Sequence, residues 1–210
     1  ITIELHKDLL AININNRQAE ATIFLQGAQL TQYQRHAEQP IIWLSPDCEY
    51  NLGVPPRGGI PVCWPWFGSL DKNPESIQRQ VNADMSASHG FAREVAWELN
   101  YIKNISPDET ELQFSLSHAP TLAWPFKSRL TMRFAIGAEL GVSFEVHNHG
   151  DKTFHFCSAL HSYFAVGDIE QISITGLSNN DFIDCLKDWQ RFTQHGDIDI
   201  GAEVDRLYYT

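Results

Sequence analysis

Apolar and polar side chains alternate along much of this chain. Leu112, Phe114 and Leu116 are separated by Gln113 and Ser115; Leu130, Met132 and Phe134 by Thr131 and Arg133; Val142, Phe144 and Val146 by Ser143 and Glu145. A period of two, carried by β-branched and aromatic residues, predicts antiparallel strands with one buried face. Shorter runs of the same kind occupy 10–15, 20–25, 28–34, 96–103 and 153–165. Turn formers such as Asn15-Asn16, Ser106-Pro107-Asp108 and His149-Gly150-Asp151 separate many of them. No long stretch keeps a helical period. Many successive half-buried strands must cover one another, so the expected fold class is all-β, a large antiparallel β-sandwich. With no repeat, low-complexity tract or linker, residues 1–210 are expected to form one domain.

The alternation fails between 45 and 95, where Pro, Gly, Trp and polar residues crowd together and 70–88 reads as an exposed loop. Long irregular stretches inside a compact domain carry function more often than they merely connect. Two short segments stand out there: Arg57-Gly58-Gly59-Ile60-Pro61-Val62-Cys63-Trp64-Pro65-Trp66-Phe67-Gly68 and Ser88-His89-Gly90-Phe91-Ala92-Arg93. A third, Ala159-Leu160-His161-Ser162-Tyr163-Phe164, lies well downstream. Each sets a proton carrier or an anion ligand among backbone-fixing residues or flat aromatic rings. Together they suggest a pocket for a small, polar, ring-shaped and anionic molecule. Arg57 and Arg93 have the fork geometry that grips a phosphate; they could equally be surface arginines paired with some of the 26 acids. His89 and His161 could carry protons or be satisfied structural histidines. Trp64, Trp66 and Phe67 could stack on a sugar or fill the core.

Composition narrows the function. A formal net charge of −11 argues against nucleic-acid binding, which needs a basic face, while still allowing a local positive pocket. No apolar run approaches the roughly 20 residues of a membrane span. The N-terminal residues have neither the basic nor the apolar region of a signal peptide. Cys48, Cys63, Cys157 and Cys185 are scattered, as expected for reduced thiols in a cytosolic protein. His147, His149, His155 and His161 raise the question of a metal, but no carboxylate or thiol completes a ligand set, so none is expected. The motifs of serine hydrolases, P-loop NTPases and dinucleotide-dependent dehydrogenases are missing.

The three segments, in this order and spacing, resemble the hexose-6-phosphate mutarotase (glucose-6-phosphate 1-epimerase) family, related to aldose 1-epimerase (galactose mutarotase). The likeness runs from the early strands to Asp205. It implies a galactose mutarotase-like β-sandwich and cofactor-free interconversion of the α and β anomers of a hexose 6-phosphate. It implies His161 as the catalytic histidine, Arg57 and Arg93 as phosphate ligands, and His89 and Asp205 beside the sugar. Ser88 stands where some relatives have Gln, with a hydroxyl of shorter reach. Trp66 and Phe67 complete the expected substrate-binding set, and a monomer is expected. In the family the catalytic base is a glutamate well beyond the position of Asp205. The expectation is therefore a chain lacking its C-terminal strands and that base, with Glu170 and Glu203 as substitute candidates. The alternatives are an epimerase of free sugars and a non-catalytic sugar-binding module on the same fold.

Overall fold

The computed structural model describes residues 1–81 and 87–209, which divide into two compact units, Ile1–Ala165 and Val166–Thr210. The first unit begins with an antiparallel meander of β1 (Thr2–His6), β2 (Leu9–Asn15), β3 (Ala19–Phe24) and β4 (Gln29–Arg35). After the two-residue β5 (Val62–Cys63) comes a second meander of β6 (Glu98–Ser106), β7 (Glu109–His118), β8 (Ser128–Ile136) and β9 (Leu140–Asn148). β10 (Ala159–Leu160) pairs with β5.

Ile12, Ile14, Ile23 and Leu30 from the first sheet share one core with Leu112, Phe114, Leu130, Met132, Phe134 and Ile136 from the second. This is the expected sandwich, since each sheet buries the apolar half of its alternation against the other. Polar ties register the layers: Tyr33 Oη donates to the Gly137 carbonyl at 2.9 Å, and Asn16 Nδ2 to that of Ile136 at 2.8 Å. β1 adds a strand beyond those expected, although Ile3 and Leu5 alternate with Thr2 and Glu4.

Two expectations need correcting. The run 153–165 is not one long strand. Beyond β10 it is extended but changes partners: the His161 and Tyr163 N–H groups donate to the carbonyls of Pro61 and Gly59, and the Ala165 N–H to that of Ile41. The segment 70–88 is not simply an exposed loop. Leu70–Lys72 forms a 3-10 turn, Glu75–Gln78 forms α1, and Leu70, Ile77 and Val81 are buried in the core. Residues 82–86 of that segment lie outside the described residues.

In the second unit β11 (Ser173–Ile174) pairs with β14 (Ile198–Asp199), and β12 (Asp181–Asp184) lies between β13 (Gln190–Thr193) and β15 (Arg206–Tyr208). β15 pairs antiparallel with β12, with Tyr208 opposite Phe182. The Arg206 guanidinium lies 4.5 Å from the Phe182 ring centre and 3.9 Å from buried Asp184. Among the described residues no helix is long and apolar enough to cross a membrane.

Candidate active site

The three singled-out segments meet on one small ribbon. Cys63 pairs with Ala159 and Val62 with Leu160, which brings the third segment beside the first. The second joins through a parallel bridge between Trp64 and Gly90. The Trp64 carbonyl then accepts from the Phe91 and Ala92 N–H groups at 3.0 and 3.3 Å. Only glycine fits at position 90. Its φ is +68°, and a Cβ there would lie 2.0 Å from the Trp64 carbonyl oxygen.

On this ribbon the Phe67 ring lies 4.9 Å from His89 and 5.7 Å from His161, and the two imidazoles are 6.0 Å apart, centre to centre. Tyr163 packs edge-on against His161 at 4.8 Å. His89 and Gly68 clasp each other: the His89 N–H donates to the Gly68 carbonyl at 2.8 Å, and the Gly68 N–H donates to His89 Nδ1 at 3.0 Å. An Nδ1 that accepts carries no proton, so neutral His89 holds its hydrogen on Nε2.

Arg93 sets the electrostatics. Its Nη2 donates to the Ser88 carbonyl at 2.9 Å, while its Nε is buried with no hydrogen-bond partner among the described residues. Burial, and after it the Arg93 charge, holds His161 below the usual imidazole range. His89 is lowered by burial, then Arg93, then His161. Beneath them burial pushes the Cys63 thiol up to about 11, with Arg93 opposing. The site thus presents two half-buried imidazoles held toward neutrality beside a guanidinium with donors to spare.

The expected residues divide clearly. Phe67, His89, Arg93 and His161 are brought together, and Ser88 contributes its carbonyl to Arg93. Arg57 lies two residues before Gly59, whose carbonyl accepts from the Tyr163 N–H, but its exposed side chain has no contact with the imidazoles among those described. Neither Arg57 nor Arg93 makes an ion pair with an acid among the described residues, so pairing with surface acids does not account for them. Trp66 is 1% exposed and donates from Nε1 to the Ala87 carbonyl; it packs in the core, where its faces are not open to a sugar. Asp205, Glu170 and Glu203 belong to the second unit and are exposed. The His147 and His149 rings meet edge-on 6.3 Å apart, with His147 Nε2 3.4 Å from Glu145. Among the described residues no group of His, Cys, Asp or Glu is arranged to hold a metal. Sequence reasoning passed over Tyr163 as a site residue; its place two positions after His161 in an extended segment was the available signal.

The sequence matches the aldose 1-epimerase family over residues 11–210. A Salmonella typhimurium protein named "putative glucose-6-phosphate 1-epimerase" is 37% identical over 86% of this chain and 56% of its own length. An Escherichia coli protein of the same name is 35% identical over the same shares. The chain thus spans about half the length of these curated relatives. Among solved structures, a Salmonella typhimurium protein described as a "putative mutarotase" superposes with a TM-score of 0.85 at 32% identity, covering 98% of this chain and 65% of that one. A galactose mutarotase-related enzyme from Lactobacillus acidophilus shares the fold, with a TM-score of 0.63 at 18% identity over 91% of this chain and 65% of its own. The fold is the galactose mutarotase-like β-sandwich, and the chain belongs to the aldose 1-epimerase family.

Proposed function

We propose that this chain provides the sugar-phosphate site and the catalytic histidine of a cytosolic hexose-6-phosphate mutarotase, which interconverts the α and β anomers of glucose 6-phosphate or a similar hexose 6-phosphate. The observation that carries this reading is the grouping of His161, His89 and Phe67 near Arg93, which has no acidic partner among the described residues and a buried Nε without a hydrogen bond there. The names of the curated relatives support the substrate class, and four free cysteines support a reducing compartment.

Mutarotation requires a base to take the proton from the anomeric hydroxyl and an acid to protonate the ring oxygen. The bond between C1 and the ring oxygen breaks, the aldehyde rotates about C1–C2, and the ring closes on the other carbonyl face with the proton roles reversed. His161 is the proton carrier at the ring oxygen, a step of the kind worth roughly 10²–10⁴-fold. His89, with its proton on Nε2, donates to a sugar oxygen, and Phe67 gives the ring an apolar wall. Arg57, Arg93 and the Ser88 hydroxyl hold the phosphate. The phosphate also tunes the acid. A dianion against Arg93 cancels part of the charge that, after burial, depresses His161, so substrate binding moves that imidazole back toward its ordinary range.

Exchange NMR of α- and β-glucose 6-phosphate, with glucose as control, tests this. Faster exchange for the phosphate ester, reduced about 10²–10⁴-fold in His161→Ala, is expected. Equal acceleration of free glucose, or indifference to Arg93→Met, would replace the phosphate reading with an epimerase of free sugars. Binding without faster exchange would mean that the pocket is present without a base, as in a chain lacking the family's glutamate or in a non-catalytic sugar-phosphate module.

A further inference from the structure

We propose that Gln29 is a positioning residue for phosphate recognition: it fixes the Arg57 turn from beneath and so sets preference for phosphorylated over free sugar. This rests on the phosphate role of Arg57 proposed above. Gln29 opens β4 and is 0% exposed. Its Nε2 donates to the Pro56 carbonyl at 2.8 Å and to the Gly58 carbonyl at 2.7 Å, the two that flank Arg57. The Arg57 carbonyl itself accepts from the Ser45 N–H at 2.9 Å. Three consecutive carbonyls are therefore held, while the Arg57 side chain is left to solvent. Three residues earlier Gln26 repeats the device: its Nε2 donates to the Val54 carbonyl at 2.9 Å, and its Oε1 accepts from the Gly53 N–H at 2.8 Å. The segment that delivers Arg57 is thus gripped at both ends by side-chain amides.

A purely structural filler would not use this group. Gln29 Oε1 is buried with no hydrogen-bond partner among the described residues, and an unpaired buried acceptor costs stability that an apolar side chain of the same length would not. What the amide provides is direction. Locking the peptides on either side of a long side chain confines the arc its guanidinium can sweep, which reduces the entropy lost on binding an anion.

The test is titration calorimetry of this chain with glucose 6-phosphate and with glucose, for the wild type, Gln29→Met, Arg57→Met and the double variant, with near-ultraviolet circular dichroism to verify folding. Gln29→Met is expected to weaken glucose 6-phosphate binding about tenfold and glucose binding less than about twofold, as loss of charged-group positioning would. In the Arg57→Met background the Gln29 substitution should have no further effect on the phosphate ester. A folded Gln29→Met with wild-type selectivity, or with additive losses, overturns the proposal. If Arg57→Met leaves selectivity intact, the phosphate role of Arg57 itself fails, and the positioning role falls with it. Should Gln29→Met not fold, nitrogen-15 relaxation of the wild type decides: ordered Arg57 and Gly58 amides, with order parameters near ~0.85, are required, and values below ~0.6 overturn it.

Discussion

In β8 the side chains follow the pleat except at Thr131, which is buried: Leu130, Met132, Phe134 and Ile136 are 0% exposed, while Arg129, Arg133 and Ala135 are half-buried. In the ribbon from Pro61 to Trp66 all six residues are buried, with no alternation. β8 lies between two long partners and needs only one apolar face. The ribbon has neighbours on every side, because β10, Gly90 and the core all pack against it. β8 tolerates backbone variation but demands volume at alternate positions. The ribbon demands closeness, so its specificity lies in the glycine packed against it and in main-chain hydrogen bonds.

The substitution that breaks this contrast most strongly is Gly90→Ala. Its Cβ would overlap the Trp64 carbonyl, where no flexible side chain can yield, and a loss of about 5 kcal/mol or more is expected. Urea unfolding within about 1 kcal/mol of wild type would show that the ribbon can open. Phe134→Ala attacks β8 by volume instead. It removes a fully buried ring that meets Phe114 edge-on and should cost about 3–5 kcal/mol while leaving a folded sheet. Gly68→Ala sharpens the comparison within the site. Gly68 has a φ of +65° but nothing within 4 Å of a built Cβ, so only conformational strain of about 1 kcal/mol is expected. A loss equal to that of Gly90→Ala would mean that backbone angle, not proximity, governs the ribbon.

The smallest expected effect concerns pH. Burial lowers His89, His118 and His161 below the ordinary imidazole value. The unfolded chain therefore binds protons first as pH falls below about 6.5. The stability these residues protect is complete above that point and is lost downward toward their folded-state values. On the outer face of the β8 sheet Glu145 is lowered by its bonds to His147 and Arg133. That contribution is present above the ordinary Glu range and fades only as pH falls below about 4.5. Denaturant unfolding between pH 7.5 and 5.5 should lose stability in the wild type and lose less in His118→Gln. A flat profile over that interval would contradict the burial of the site imidazoles.

The same contrast explains what could be read beforehand. The strands of both sheets were legible because alternation at Leu112, Phe114, Leu130 and Phe134 directly reports a half-buried pleat. His89, Arg93, Phe67 and His161 were legible as candidates because Gly, Pro and aromatic residues surround them. Their meeting was not, since it depends on pairing between Cys63 and Ala159, about 95 residues apart in the chain. Trp66 stayed open between two roles: an aromatic in a glycine-rich segment serves a ligand or a core equally well, and packing, which buries it, is not legible in the sequence. The anchored character of 70–81 was hidden because Leu70, Ile77 and Val81 follow no strand or long-helix period.

The clasp between Gly68 and His89 has a consequence for how this site can be mapped. The bond that decides which imidazole nitrogen carries the proton comes from a main-chain amide. Replacing neighbouring side chains with alanine would leave that amide in place, so a mutational survey would pass over the group that assigns the tautomer. A backbone edit, such as an ester in place of the amide at position 68, would expose it while every side chain stayed the same.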